Sequence, residues 1–265
     1  MNLPPVVLTI SGFDPCSGAG ALLDLRVCSE LDCYGIAAIT ALTVQNTSQV
    51  YFAQAVGEKV LTSTLEKLAE DFEIAAVKTG MLADEKTVCC VAEWVSAYRP
   101  AALVVDPVIL STSGKRLLSP QGVRTLIDRL LPLADLVTPN LPELAMLTGQ
   151  QVNDLAASEV AAKALLRLGV AAVLVKGGHS SDVHVVRDCL VTSADSTIFA
   201  AERLDIGEVH GTGCALSAAC VCYLARRLSL RESVTNALSY TRKLIKQSIK
   251  LGKGSRLLWK SEHWY

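Results

Sequence analysis

The stretch VVLTISGFDPCSGAGALLDLRVCSEL, residues 6–31, decides the fold. It opens with a β-branched run at Val6–Ile10, which predicts a strand. A glycine-dense loop, Gly12–Gly20, follows, and Ala19–Leu31 then shows the apolar spacing of a helix. The glycine spacing is not that of a dinucleotide-binding loop, and no Gly-Lys-Ser/Thr completes a Walker A loop. The segment therefore predicts a strand joined to a helix by a loop that could wrap a small substrate.

Strands and helices continue to alternate along the rest of the chain. The predicted strands are Gly35–Val44, Ser48–Ala55, Ile74–Thr79, Ala102–Val105, Leu136–Thr138 and Ala171–Val175, with a hairpin at Val183–Val191 and Thr197–Ala200. The predicted helices are Lys59–Glu70, Asp84–Ala97, one opened by Ser119-Pro120, Asn140–Thr148, Ser158–Leu168, Cys214–Arg227 and Leu230–Lys250. Strands that are apolar throughout are typical of a parallel sheet covered on both faces. We therefore predict one compact α/β domain over residues 1–265, with a mostly parallel central sheet and helices on both faces.

Polar or glycine-rich segments follow the predicted strands at five places. They are Gly12–Gly20, Gln45–Thr47, Lys78–Met81, Asp106–Gly114 and Lys176–His179. In open α/β sheets, ligands bind in the crevice beyond the carboxyl ends of the strands. These five segments are therefore expected to share one site.

The composition narrows the class of protein. Net charge is −1 over 265 residues and 19% of the residues are charged, without a basic stripe, so a nucleic-acid interface is not expected. The longest uncharged stretch, Ile36–Gly57, contains amide and hydroxyl side chains that would be costly to bury in lipid, so a membrane span is not expected. The nine cysteines are irregularly spaced and form no CxxC pair, which disfavours a disulfide framework or a zinc site. Many free thiols suit a reducing cytosol, and Met1–Pro5 lacks the basic segment that opens a signal peptide. We therefore expect a soluble, cytoplasmic protein.

The segment Gly211-Thr212-Gly213-Cys214 stands directly before a predicted helix. Its glycines allow a sharp turn and a close approach to a ligand, and the helix start offers unpaired N–H groups and a positive dipole end. Together they predict an anion hole of the kind that phosphoryl transfer needs. The alternative is a glycine-rich turn that only starts the helix. Cys214 could be a base or nucleophile with a depressed pKa, or a buried small apolar residue.

Five further polar residues each have a chemical and a structural interpretation. Asp106, at the end of a strand, is placed to bind Mg²⁺ directly or through water. Asn140 and Glu143 have the spacing of a helix capping box, or else reach a phosphate and a metal-bound water. Lys176 counters triphosphate charge or is a solvated turn residue. Asp24 is a substrate ligand facing the first loop, or compensates the dipole of its helix.

Seven motifs occur in the order and at the intervals of one known family. They are Gly12–Gly20 (GFDPCSGAG), Ile39–Thr47 (ITALTVQNT), Val77–Leu82 (VKTGML), Val104–Val108 (VVDPV) with Ser111–Gly114 (STSG), Ala134–Glu143 (ADLVTPNLPE), Val175–His179 (VKGGH) and His210–Ser217 (HGTGCALS). From about residue 6 to about residue 250, the chain resembles the hydroxymethylpyrimidine/phosphomethylpyrimidine kinases of thiamin biosynthesis.

The resemblance implies a ribokinase-like fold and the use of ATP and Mg²⁺. It implies two successive phosphorylations, of the hydroxymethylpyrimidine to its monophosphate and then to its diphosphate. The pyrimidine would be held by Gly12, Asp24, Gln45 and Met81. The side-chain chemistry agrees, since Gln45 offers both a donor and an acceptor and Met81 an adaptable apolar wall.

The resemblance also implies how the phosphates are handled. Asp106 and Glu143 would organise Mg²⁺. The residues facing the nucleotide phosphates would be Asn140, Lys176, Thr212 and Gly213. Cys214 would be the base for the substrate hydroxyl, with the Gly211–Cys214 amides stabilising the transferring phosphoryl group.

The chain departs from the family pattern near the predicted site. Phe13 stands where the family has Ser, Leu22 where it has Gln, and Ala215 where it has Thr. Two alternative functions are compatible with these departures: a pyridoxine/pyridoxal kinase of the same superfamily, and a non-catalytic pyrimidine-binding protein. The partner in each case is a small molecule. A homodimer is also expected, because dimers are the commonest oligomers and Ile36–Gly57 supplies an uncharged strand edge.

Overall fold

The computed structural model describes residues 3–111, 113–179 and 182–260. Its strands are β1 (Val6–Phe13), β2 (Tyr34–Gln45), β3 (Val50–Ala55), β4 (Ile74–Thr79), β5 (Leu103–Val105), β6 (Leu136–Val137), β7 (Ala172–Val175), β8 (Val185–Thr192), β9 (Ser196–Glu202), β10 (Val209–His210) and β11 (Arg256–Leu257). Its helices are α1 (Gly20–Glu30), α2 (Glu58–Asp71), α3 (Glu85–Tyr98), α4 (Pro120–Thr125), α5 (Leu141–Thr148), α6 (Leu155–Leu166), α7 (Thr212–Ala225) and α8 (Leu230–Lys246). One π turn and one 3₁₀ turn extend α4 to Leu133.

Nine of these strands form one sheet in the order β3-β2-β1-β4-β5-β6-β7-β8-β9. The six strands from β2 to β7 in that order run parallel. The strands β3, β8 and β9 pair antiparallel at the two edges. The predicted mostly parallel sheet and the predicted hairpin are confirmed. Because the central strands are parallel, their carboxyl ends lie at one edge of the sheet, where ligand crevices form.

The two faces of the sheet bury two separate apolar cores. Leu8 and Ile10 of β1 point to one core, which is filled by side chains of α2 to α6. Val7 points to the other core, which is filled by α1, α7 and α8. This alternation follows from the two-residue period of a strand. It confirms that helices cover both faces.

Local capping chemistry explains where most helices begin. The side chains of Asp84, Ser119 and Ser229 each accept a hydrogen bond from the backbone N–H three residues later. Ser229 and Glu232 form the predicted capping box. The helix predicted from Ser158 begins three residues earlier at Leu155, because Asp154 caps it.

The C-terminal segment differs from the predicted helix over Leu230–Lys250. The helix α8 ends at Lys246, and the chain then folds back so that β11 pairs in parallel with β10. The N–H of Ser255 donates to the carbonyl of Thr47 at 2.8 Å. Strands of two residues carry no readable hydrophobic period, so the sequence pattern did not reveal this pairing. Within the described ranges, no helix is long and apolar enough to cross a membrane.

Candidate active site

Polar side chains collect at the edge of the sheet where the parallel strands end. Asp106 follows β5, and Lys176 follows β7. The Asp106 carboxylate is buried and accepts from Lys176 Nζ at 2.8 Å, Thr138 Oγ1 at 3.1 Å and Ser217 Oγ at 3.2 Å. Burial alone would raise the pKa of Asp106, but the ammonium groups of Lys176 and Lys78 outweigh it and lower the pKa. Asp106 is therefore an ionised group at this edge.

The capping interpretation of Asn140 and Glu143 is confirmed. Asn140 Oδ1 accepts from the Glu143 N–H at 2.8 Å, and Glu143 Oε2 accepts from the Asn140 N–H at 2.9 Å. Glu143 also lies 3.8 Å from Lys176 Nζ. Burial raises the pKa of Glu143 to about 7, against the opposing effect of Lys176. Contacts of Asn140 with phosphate and of Glu143 with a metal stay predictions.

The surroundings of Lys176 fit a divalent cation. Asp106 and Glu143 both lie within 4 Å of Lys176 Nζ, so two carboxyl groups that can ligate a divalent cation stand side by side. Among residues 3–111, 113–179 and 182–260, no three Asp, Glu, His or Cys side chains form a cage for a metal. Mg²⁺ usually takes one or two carboxylates together with phosphate oxygens and water. The two carboxylates suit that mode of binding.

The loop before α7 requires glycine at Gly211. Its φ is +80°, in the left-handed region, and a Cβ atom there would collide with the carbonyl oxygen of Gly18. Thr212 is the first residue of α7. A Cβ atom on Gly213 would lie 3.2 Å from Lys176 Nζ and 3.9 Å from Asp106 Oδ2. The structure thus brings the helix start together with the predicted phosphate-binding lysine and the predicted metal-binding carboxylate.

Cys214 lies half-buried in the first turn of α7. The N–H of Gly20 hydrogen-bonds to its sulfur, and the ammonium of Lys78 favours the thiolate. Burial is nevertheless the largest effect and raises the pKa of Cys214 to about 11. Of the two interpretations of Cys214, the structure therefore disfavours a thiol with a depressed pKa. Its role as a base stays a prediction.

Two of the predicted pyrimidine-binding residues lie against each other. A Cβ atom on Gly12 would lie 3.0 Å from Met81 Sδ, and Thr40 Oγ1 fixes the loop by donating to the Met81 carbonyl at 2.5 Å. Gln45 ends β2, and its carbonyl accepts from Cys16 Sγ of the first loop at 3.6 Å. Met81 and the backbone of Gln45 therefore both lie against the first loop.

Asp24 has a partner that sequence reasoning missed. Its Oδ2 accepts from Lys78 Nζ at 2.6 Å and from Thr9 Oγ1 at 2.6 Å, and the ion pair is 0% and 1% exposed. It lies beyond the first turn of α1, so dipole compensation is not its role. The available signal was a lone lysine inside the buried strand Ile74–Thr79. Contact of Asp24 with substrate stays a prediction, and its Oδ1 has no partner among the described residues.

A glycine-rich helix start, a lysine beside two carboxyl groups and the Gly12–Met81 contact lie at one edge of a mostly parallel sheet. This combination is typical of small-molecule phosphotransferases with a ribokinase-like fold. Residues 14–259 match the model of the family described as phosphomethylpyrimidine kinase. The chain belongs to this family.

Relatives and solved structures agree with the assignment. A hydroxymethylpyrimidine/phosphomethylpyrimidine kinase of Aquifex aeolicus is 36% identical, covering 96% of this chain and 99% of the relative. A phosphomethylpyrimidine kinase structure from Clostridium difficile has a TM-score of 0.81 at 34% identity, covering 91% of this chain and 99% of that one. A Staphylococcus aureus pyridoxal kinase in complex with AMP-PCP has a TM-score of 0.90 at 30% identity, covering 97% and 93%. The chain is a phosphotransferase, and the non-catalytic alternative is not supported.

Proposed function

We propose that the chain transfers the γ-phosphoryl group of ATP to the hydroxymethyl group of the thiamin pyrimidine, and then phosphorylates the resulting monophosphate. The observation that carries the proposal is the meeting of two loops. The Gly211–Cys214 helix start lies beside Lys176 and Asp106 on one side, and its Cys214 sulfur contacts Gly20 of the first loop on the other. A phosphate-binding side and an acceptor-binding side thus adjoin. The names of the relatives support this substrate.

Each side of the site has a proposed role. Lys176 and the amides of Gly211–Cys214 bind the triphosphate and stabilise charge as it develops on the transferring group. Asp106 and Glu143 hold Mg²⁺, which supplies charge neutralisation for the triphosphate. Gly12, Met81, Gln45 and Asp24 orient the pyrimidine. The nucleotide-bound form of the related pyridoxal kinase supports the use of ATP.

Cys214 is the proposed acceptor of the hydroxyl proton. Because burial raises the pKa of Cys214 to about 11, only a small fraction is thiolate at neutral pH. Phosphoryl transfer through a loose transition state needs little help from a base. The proposed step therefore tolerates a weakly populated thiolate, and its contribution increases with pH.

The second candidate function is a pyridoxal or pyridoxine kinase. The pyridoxal complex of the S. aureus pyridoxal kinase favours it, because that chain matches this one with a TM-score of 0.90. Phe13 adds to the case, since it ends β1 next to Gly12 and alters the loop that would contact the acceptor ring. The identity is lower than for the phosphomethylpyrimidine kinases, at 30% against 34% for the C. difficile structure.

The direct test is ADP release with Mg·ATP and three separate acceptors: hydroxymethylpyrimidine, its monophosphate and pyridoxine. We expect turnover with the first two and little with pyridoxine. Turnover with pyridoxine alone would assign the second candidate function. The variant Asp106→Asn controls for contaminating kinases, because it removes the ionised carboxylate and should abolish release with every acceptor.

We also propose that the chain forms a homodimer through the outer face of the β2–β3 hairpin. Leu42, Val44 and Phe52 share that face in the sheet register and are 55%, 58% and 54% exposed. The opposite face carries Thr43 and Gln45, so the hairpin can join a second copy without withdrawing Gln45 from the site. No charged residue lies within residues 36–57, so identical faces meet without repulsion.

The dimer is tested by light scattering on Val44→Lys, which should shift the mass from dimer to monomer. The matched control is Val60→Lys, since Val60 is equally apolar and 61% exposed but lies on α2. A monomeric wild-type protein, or equal effects of the two variants, would exclude this interface.

A cytoplasmic location also stays a proposal, supported by nine free thiols.

A further inference from the structure

A hydrogen-bonded pair of side chains, Asp14 and His210, joins the first loop to the loop before α7. His210 Nε2 lies 3.0 Å from Asp14 Oδ2, and the two side chains are 20% and 3% exposed. The other carboxylate oxygen, Asp14 Oδ1, accepts from the Cys16 N–H at 2.8 Å. Burial raises the pKa of Asp14, but His210 and backbone N–H groups together lower it by more. The carboxylate is therefore ionised and accepts the hydrogen bond from His210. The pair spans 196 residues of sequence.

The two loops also touch backbone to backbone beside this pair. A Cβ atom on Gly211 would collide with the Gly18 carbonyl oxygen. A Cβ atom on Gly18 would lie 2.5 Å from His210 Cδ2. The two loops are therefore in close contact beside the Asp14–His210 pair.

The joined loops carry the two halves of the proposed chemistry. The first loop begins at Gly12, against Met81, and ends at Gly20, whose N–H contacts the Cys214 sulfur. The second loop holds the amides of Gly211–Cys214. The distance between the acceptor hydroxyl and the phosphoryl group depends on how the two loops are placed. A misplacement of about 1 Å can lower turnover about 100-fold.

We propose that Asp14 and His210 are positioning residues that hold the acceptor loop in register with the phosphoryl-transfer loop. Neither residue is placed in contact with the reacting atoms; they act through Gly12, Gly20 and Cys214. The proposal rests on the proposed function, because the acceptor loop is defined by it. The simpler role for Asp14 is to order its own loop through the Cys16 N–H. That role predicts no effect of His210 variants.

The test is a double-mutant cycle in turnover. Asp14→Asn and His210→Ala should each lower kcat by about 10- to 100-fold, while the KM for ATP changes by less than about threefold. The double variant should be no slower than the slower single variant, because the pair acts as one unit. His210→Gln should recover most of kcat, because its amide nitrogen can donate from about the position of Nε2. Losses that multiply, or a His210→Gln variant as slow as His210→Ala, would overturn the proposal.

A second readout does not depend on the substrate. Loosening the first loop withdraws the Gly20 N–H from Cys214, so the single variants should change the rate at which iodoacetamide alkylates Cys214, followed by peptide mass spectrometry. Tyr240→Phe is the matched control, since it removes a 2.7 Å hydrogen bond from α8 to Glu30 of α1, away from both loops. Wild-type alkylation and kcat in Asp14→Asn and His210→Ala would refute the positioning role. If the wild-type protein phosphorylates no pyrimidine, the proposed function fails while the alkylation experiment still tests the pair.

Discussion

Replacing Lys78 by methionine should destabilise the protein in a way that depends on pH. Lys78 is fully buried, and its Nζ lies 2.6 Å from Asp24 Oδ2, so the variant leaves a carboxylate in the core without a counter-charge. Burial already raises the pKa of Asp24, and the variant removes the largest opposing effect. Methionine is an unbranched side chain one heavy atom shorter than lysine and carries no charge. The loss of stability should therefore come from Asp24.

The magnitude is limited by protonation of Asp24. An unpaired buried carboxylate takes up a proton, and protonating a carboxyl with an unfolded-state pKa of about 3.9 costs about 4 kcal/mol at pH 7 and about 1.5 kcal/mol at pH 5. The folded-state pKa lies above the unfolded-state pKa, so the folded state binds more protons and its stability falls as pH rises. The expected loss of at most about 4 kcal/mol at pH 7 agrees with the usual effect of breaking a buried pair.

The assay is urea-induced unfolding of the wild type and Lys78→Met at several pH values between 5 and 8. The double variant Asp24→Asn/Lys78→Met removes both charges and should show a smaller loss that does not vary with pH. The control Lys67→Met breaks a pair with Glu70 of the same 2.6 Å length on the exposed surface of α2, and should leave the midpoint unchanged. An equal loss at pH 5 and pH 8 in Lys78→Met would refute burial of the Asp24 charge as the cause.

Three further changes test the site. Cys214→Ala should leave ATP binding intact and lower turnover. Because burial raises the pKa of Cys214 to about 11, turnover of the wild type that depends on the thiolate should rise with pH. A pH profile that is flat would contradict the base role. Gln45→Ala should raise the KM for the pyrimidine about tenfold, the effect of one lost hydrogen-bonding group, and leave that for ATP unchanged; equal increases would place the pyrimidine elsewhere. Gly211→Ala should lower turnover about 100-fold, because its φ of +80° is strained and its Cβ collides with Gly18. Gly149→Ala, with a φ of +67° and nothing within 4 Å of the added atom, should be fully active.

Features set by neighbouring residues could be predicted from the sequence. The capping boxes at Asn140 and Ser229 follow from a spacing of three residues, and both are present. The parallel sheet followed from apolar strands alternating with helices. Parallel strands place Asp106 and Lys176 at the same edge of the sheet. The 2.8 Å contact between them joins residues that are 70 apart in sequence.

Features set by distant residues could not be predicted in this way. The partner of Asp24 is 54 residues away and that of Asp14 is 196 residues away, and no local pattern signals either pair. The direction of the Cys214 pKa shift could not be predicted from the sequence either. The helix start favours a thiolate, but the packing around the sulfur decides the direction, and burial depends on the whole fold.

The buried Lys78 and the partly exposed Lys176 differ in how firmly their ammonium groups are held. Lys78 is sealed beneath the acceptor side at 0% exposure, whereas the side chain of Lys176 is 14% exposed and has two carboxylates within 4 Å. A negative charge on Cys214 would be stabilised by the Lys78 ammonium. A charge that cannot reorient stabilises developing negative charge without reorganisation, which is the more effective arrangement in a dry site. A charge with alternative partners can instead follow phosphates that arrive and leave. On this argument, and if the proposed function holds, we expect Lys78 to provide a constant field around the reacting groups and Lys176 to exchange its carboxylate contacts for phosphate.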